Sequence, residues 1–187
     1  TSASAITAAM TITGDATTTN DAIIMTAGAP TTGTAGDDGA AVFTNVTNVN
    51  SVTLRKGADA GDDVTLNLGT YTTALTIDAS AMNVTSTTNA AGTTVADTAD
   101  AMVNLTATNA TGALTVTGTS GWDIIAAGQG NDSYTLGLGN DSITFAAGMI
   151  SNLDTVSGGE GTDTITVDSS TAVTDVNFIN VTSVENV

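Results

Sequence analysis

Aspartate recurs behind glycine at nine-residue intervals in this chain, and an interval repeated in tandem implies stacked, near-identical units. Gly121-Trp122-Asp123, Gly130-Asn131-Asp132, Gly139-Asn140-Asp141 and Gly161-Thr162-Asp163 are each followed two residues later by an apolar side chain. Those side chains are Ile125, Tyr134, Ile143 and Ile165, and the phrases AGQGNDSYT and LGLGNDSIT sit directly in tandem. The fullest copy is Gly158-Gly159-Glu160-Gly161-Thr162-Asp163-Thr164-Ile165-Thr166. Nine residues back from Asp163 stands Asp154, whose copy has lost its glycines but keeps an apolar Val156. Only Phe145 to Gly148 then has to be an insertion, so five aspartates share one register with a single four-residue break.

The rest of the chain reads as short strands. β-branched runs recur at Ala22 to Thr26, Val52 to Leu54, Val64 to Leu68, Ala74 to Ile77, Leu114 to Thr117 and Thr164 to Val167. Each is bounded by Gly, Asn, Asp or Ser, which signals strands joined by tight turns. Mean hydropathy is positive, which argues against disorder despite the low aromatic content. No stretch keeps a 3.6-residue apolar period, so an all-β fold with almost no helix is expected.

Charge and missing residue types exclude several functions. The chain has 19 acidic residues against Arg55 and Lys56, a formal net charge of -17, and neither His nor Cys. A nucleic-acid backbone and an anionic membrane surface would both be repelled. No run is long and apolar enough for direct membrane insertion by a helix. Without His or Cys, the Ser-His and Cys-His nucleophile pairs and thiolate chemistry are absent, and the expectation is that the chain is not an enzyme. A charge of this size opposes compaction unless it is neutralised, and outside a cell a divalent cation held by oxygen ligands does so readily.

Residues 118 to 167, about a quarter of the chain, carry the pattern G-G-x-G-x-D-x-U-x and resemble the RTX (repeats-in-toxin) β-roll of type I secreted toxins, proteases, adhesins and several bacterial S-layer proteins. The resemblance implies a parallel β-roll or β-solenoid with calcium-binding nonapeptide repeats. One nonapeptide would supply a glycine-rich loop and a short strand, and two would make one turn of the roll. Asp123, Asp141 and Asp163 would then line one edge, with Asp132 and Asp154 on the other. Calcium is the implied cofactor, with those five aspartates as side-chain ligands. Gly121, Gly128, Gly130, Gly137, Gly139, Gly159 and Gly161 would free backbone carbonyls to complete the site.

Elementary electrostatics points the same way. Successive strands of a parallel stack lie about 4.8 Å apart, so carboxylates in one column would face each other closely. Two like charges there cost on the order of a few kcal/mol, and a calcium ion between them reverses the sign. Glycine tolerates positive φ and can turn carbonyls inward. Ile125, Tyr134, Ile143, Val156 and Ile165 are the expected core. Departures fall at Ala127, Leu136 and Thr119, each of which replaces a glycine.

A longer echo spans most of the chain: Phe43-Thr44-Asn45-Val46-Thr47-Asn48-Val49-Asn50-Ser51-Val52 returns 135 residues later as Phe178-Ile179-Asn180-Val181-Thr182-Ser183-Val184-Glu185-Asn186-Val187. The chain accordingly divides into an N-terminal β segment (1–42) that reads as the end of a preceding module and a Thr/Ala/Asn-rich β region (43–117). The RTX-like roll (118–167) and the start of a further repeat (168–187) follow. The region before the roll is expected to be either more β-solenoid or a β-sandwich. The acidic knots Gly36-Asp37-Asp38-Gly39 and Asp59-Ala60-Gly61-Asp62-Asp63 are further loop candidates for calcium.

The expected function is a calcium-dependent, self-assembling structural protein of the bacterial cell surface, an S-layer or extracellular filament subunit that is secreted and partnered by copies of itself. Any anchor on cell-surface glycan, and any secretion signal, would lie outside this sequence. The alternatives are the stalk of a type I secreted RTX adhesin and, behind it, a calcium-binding accessory part of a secreted hydrolase.

Overall fold

A computed structural model of the chain describes residues 12–13, 21–26, 39–42, 46–55, 62–82, 87–88, 94–95, 101–168 and 173–187. In chain order its strands are β1 (Ile12–Thr13), β2 (Ala22–Thr26), β3 (Gly39–Val42), β4 (Val46–Thr47), β5 (Ser51–Arg55), β6 (Asp62–Asn67), β7 (Leu75–Ala81), β8 (Thr87–Thr88) and β9 (Thr94–Val95). They continue as β10 (Ala101–Thr106), β11 (Leu114–Thr117), β12 (Ile124–Ala126), β13 (Ser133–Leu138), β14 (Ser142–Phe145), β15 (Thr155–Glu160), β16 (Thr164–Val167) and β17 (Val181–Thr182). The one helix among the described residues is a 3₁₀ turn at Asp175–Phe178.

Two large sheets, both wholly parallel, contain most of these strands. One has the order β16-β14-β12-β10-β6-β3 and the other β17-β15-β13-β11-β7-β5-β2. From β10 onward consecutive strands alternate between the sheets, so the chain climbs both together, and one strand from each sheet makes a rung. Strands from 43–117 hydrogen-bond into the same two sheets as strands from 118–167. The earlier region therefore extends those sheets, with no separate antiparallel sandwich among the described residues.

Parallel pairing stacks like on like. In the first sheet Leu66, Leu105, Ile125, Ile143 and Ile165 stand in one column, and in the second Val52, Ile77, Val116, Tyr134 and Val156 stand in another. The strand period of two sends these side chains inward and their neighbours outward. All ten belong to a single buried cluster drawn from both sheets. The five apolar positions of the nonapeptides are among them, and Tyr134 meets Phe145 edge to face, with ring centroids 6.1 Å apart. Burial on this scale contributes roughly 1.5–3 kcal/mol per large apolar side chain. Outward positions carry hydroxyls: Thr115 pairs with Thr76 and Ser133, and Thr117 with Thr135.

The long echo in the sequence has a backbone counterpart. Asn48 and Ser183, equivalent positions 135 residues apart, are the two non-glycine residues with positive φ among those described, at 57° and 52°. Beyond each turn the chain docks alike. The amides of Asn50 and Ser51 both donate to the Asp21 carbonyl, and those of Glu185 and Asn186 both donate to the Asp163 carbonyl.

Candidate metal-binding edge

The five aspartates form two columns, one on each edge of the stack, in the register expected from their spacing. Asp163 Oδ1 accepts the Asp141 amide at 2.9 Å, and Asp141 Oδ1 accepts the Asp123 amide at 2.8 Å. Asp123 Oδ1 in turn accepts the Val103 amide at 2.8 Å. On the other edge Asp154 Oδ1 accepts the Asp132 amide and Asp132 Oδ1 the Leu114 amide, both at 2.8 Å. Each carboxylate is thus bound to the backbone of the rung before it. This corrects the expectation of carboxylates facing one another directly, because an amide hydrogen stands between neighbours and offsets part of their repulsion.

Position follows from local structure. Each aspartate immediately precedes its strand, and the amides of Asp123, Asp132, Asp141 and Asp163 point along the stack toward the next rung, while that of Asp154 turns back to the Ser151 carbonyl. The carbonyls continue the ladder: those of Asp123, Asp132 and Asp141 accept the amides of Ser142, Thr155 and Thr164 at 2.8–2.9 Å. All five aspartates are at most 2 % exposed.

Burial at that level disfavours a charged carboxylate. It pushes Asp141 up to about 7 against a hydrogen bond from the Asp123 amide, with the charges of Asp123 and Asp163 adding to the rise. Burial likewise pushes Asp123 up to about 6, opposed by hydrogen bonds from Thr119 and Val103, and raises Asp132. The Tyr134 hydroxyl is driven upward by burial and by the neighbouring Asp132.

Second oxygens divide the set. Asp123 Oδ2 accepts the Thr119 amide at 2.7 Å, Asp132 Oδ2 accepts the Tyr134 hydroxyl at 2.9 Å, and Asp154 Oδ2 accepts the Ser151 amide at 2.7 Å. Asp141 Oδ2 and Asp163 Oδ2 are buried and have no donor. A buried acceptor without a partner costs about 1–3 kcal/mol, more when charged.

The expected glycines create the room around these groups. A Cβ on Gly137 would lie 2.1 Å from the Thr119 carbonyl oxygen, one on Gly139 2.1 Å from that of Gly121, and one on Gly159 1.9 Å from that of Gly137. One on Gly161 would lie 1.6 Å from the Gly139 carbonyl oxygen. These four have φ between +115° and +138°, a region that favours glycine. Gly121, Gly128 and Gly130 do not have positive φ; Gly130 is needed because its Cβ would stand 2.6 Å from the Gly112 carbonyl oxygen, and Gly128 packs against Asp132. A Cβ on Gly158 would meet the Ser183 carbonyl oxygen at 1.9 Å and Asp163 Oδ2 at 2.3 Å. Gly158 is therefore packed against two acceptor oxygens, that of Asp163 carrying no hydrogen bond.

Among the described residues no three acidic side chains converge on one point. An ion on this edge would be held by one or two carboxylates supplemented with backbone carbonyls, a donor set that suits a hard oxygen-seeking cation such as calcium. The bare oxygens of Asp141 and Asp163, with the Ser183 carbonyl close to that of Asp163, fit that requirement. Of the acidic knots, Asp37, Asp38 and Asp59 to Gly61 lie outside the described residues; Asp62 and Asp63 open β6.

Three participants had escaped the sequence reading. Glu185 Oε2 accepts the Asp163 amide at 2.8 Å and so continues the column with a longer side chain. It follows Asp163 by the same 22 residues that separate Asp163 from Asp141, a spacing that could have revealed it. The Tyr134 hydroxyl and the Thr119 amide were hidden, since one sits at an apolar position and the other is backbone. The chain matches no protein-family profile, no curated protein and no solved structure.

Proposed function

We propose that this chain is a calcium-dependent structural segment of the bacterial cell surface, a parallel β-solenoid whose nonapeptide rungs are locked by ions along an edge, and not an enzyme. The observation that carries this reading is the pair of buried, donorless carboxylate oxygens on Asp141 and Asp163, in a column whose loops are packed through glycine. Such oxygens destabilise the chain when ionised and alone, and a bound divalent cation converts them into ligands. The net charge of -17 extends that logic to the whole molecule. In the low-calcium cytoplasm the segment is only marginally stable and so exportable; millimolar calcium outside couples binding to folding and stabilises it.

Self-association is part of the proposal. Among the described residues strand β17 has one partner in its sheet, β15, and the segment leading into it exposes Val176 and Ile179. A parallel edge of that kind is a template for a further strand, whether of the same chain or of another copy. The echo shared by 43–52 and 178–187, down to the turns at Asn48 and Ser183, supports a modular array in which copies of the same chain meet in a lattice or filament. An adhesin stalk is the second reading, favoured by the same modular echo.

Circular dichroism and light scattering on the chelated protein, as calcium is titrated in, test both halves. A cooperative gain of β signal with growing particles supports a calcium-gated assembling scaffold, and the same gain without particles favours a monomeric stalk. A spectrum already folded in chelator and unmoved by calcium overturns the ion-binding reading.

A further inference from the structure

Resting on that calcium reading, we propose that the ion requirement is confined to Asp141 and Asp163 on one edge, and that on the opposite edge the Tyr134 hydroxyl takes the place of an ion. The nonapeptide pattern alone treats all five aspartates as equivalent. Counting donors oxygen by oxygen separates them.

On the opposite edge every carboxylate oxygen has a protein donor. Asp132 receives the Leu114 amide on Oδ1 and the Tyr134 hydroxyl on Oδ2. Asp154 receives the Asp132 amide on Oδ1 and the Ser151 amide on Oδ2. The phenol is fixed in place: its oxygen also accepts the Gly128 amide at 3.0 Å, its ring is fully buried, and Phe145 packs against it. A donor so placed satisfies that oxygen, and a cation would have to compete with a buried hydrogen bond to bind it. The sequence supplies the donor by a single exchange, since Tyr134 stands where the other repeats carry Ile125, Ile143, Val156 and Ile165.

Asp123 is closed in the same way. Thr119, standing where the pattern has glycine, gives its amide to Oδ2 and its hydroxyl to Oδ1 at 3.0 Å. Asp141 and Asp163 alone among the five keep a bare oxygen. One edge is therefore a permanent staple, formed with or without calcium, and the other is the edge that calcium completes.

Bound calcium per chain, measured by equilibrium dialysis and metal analysis on the intact chain, tests this, with circular dichroism confirming that each variant folds. Asp141→Asn and Asp163→Asn should each lower bound calcium, by about one ion per chain where a site depends on that carboxylate. Asp132→Asn and Asp154→Asn should leave it unchanged. Tyr134→Phe keeps the ring but strips the donor from Asp132, so it should lower stability in chelator and enlarge the stabilisation that calcium gives. Loss of calcium from Asp132→Asn or Asp154→Asn, or a Tyr134→Phe variant identical to the parent in both conditions, overturns the inference while leaving the calcium reading intact. If Asp132→Asn does not fold, Tyr134→Phe decides alone. A parent chain that binds no calcium overturns the underlying reading, and this inference with it.

Discussion

The amide of Asp141 donates to Oδ1 of Asp163, 22 residues further on, while Oδ2 of both residues remains without a donor. One oxygen of each carboxylate thus belongs to the scaffold and the other is free for a ligand. The two halves of one side chain can be separated by substitution, which makes the account testable.

Asp141→Ala removes the acceptor of the buried Asp123 amide and should destabilise the chain by about 2–4 kcal/mol in chelator, and by more in calcium, where the ligand is lost as well. Asp141→Asn keeps an oxygen for that amide and deletes the charge. In chelator at neutral pH it should match or exceed the parent in stability, and in calcium it should fall below it. Urea denaturation of both variants in the two conditions checks the crossing.

Stability in chelator should depend on pH in a direction opposite to that of an ion-paired carboxylate. Folding raises Asp141 to about 7 and Asp123 to about 6 from an ordinary value of 3.8. The folded state then holds protons that the unfolded state has released. That contribution is fully present below the unfolded value and is lost as pH rises through the folded one. The Tm in chelator should fall as pH is raised from about 4 to about 7, with saturating calcium flattening or reversing the slope. A Tm that climbs over this range in chelator contradicts the assignment.

Gly159→Ala places a methyl 1.9 Å from the Gly137 carbonyl oxygen at a φ of +117°. The rung spacing is set by the ladder and cannot widen locally, so the cost should be about 3 kcal/mol or more. Gly148→Ala also meets positive φ, 76°, but with nothing within 4 Å. It should cost only about 1–2 kcal/mol. Thermal melts of the two variants compare crowding with backbone strain alone.

Much of this was legible in the sequence because the aspartates repeat where the rungs repeat. Asp123 to Asp141 is one 18-residue rung, and a four-residue break carries the register on to Asp163. Phe145, read as the first residue of that break, instead ends β14 and pairs with Val167 in the core, so the break begins after it. The β-branched runs located β2, β5, β6, β7, β11 and β16. Strand β10, with its Ala-Met-Val-Asn-Leu-Thr sequence, carried no comparable signal and is defined by its pairing with β6 and β12. The rung length explains the difficulty upstream: Val64 pairs directly with Val103, so a far longer connection intervenes there than between Ile125 and Ile143. Hydrogen-bond direction was not legible at all, because nothing in a nine-residue pattern says which backbone amide a carboxylate will bind.

Core packing provides a control independent of ions. Phe145→Ala empties a buried position against Tyr134 and should cost about 3–5 kcal/mol with or without calcium. Because Tyr134 leans on that ring, the variant should also weaken the Asp132 edge, seen as faster amide exchange at Leu114 and Gly128.

The most direct test of the central claim is the Tm of the intact chain at neutral pH as free calcium is raised from chelator to millimolar levels. The Tm should rise steadily with the logarithm of calcium concentration, as it must when the ion binds the folded chain and not the unfolded one. A Tm unchanged across the whole range would contradict it and leave the column of buried aspartates a purely hydrogen-bonded scaffold.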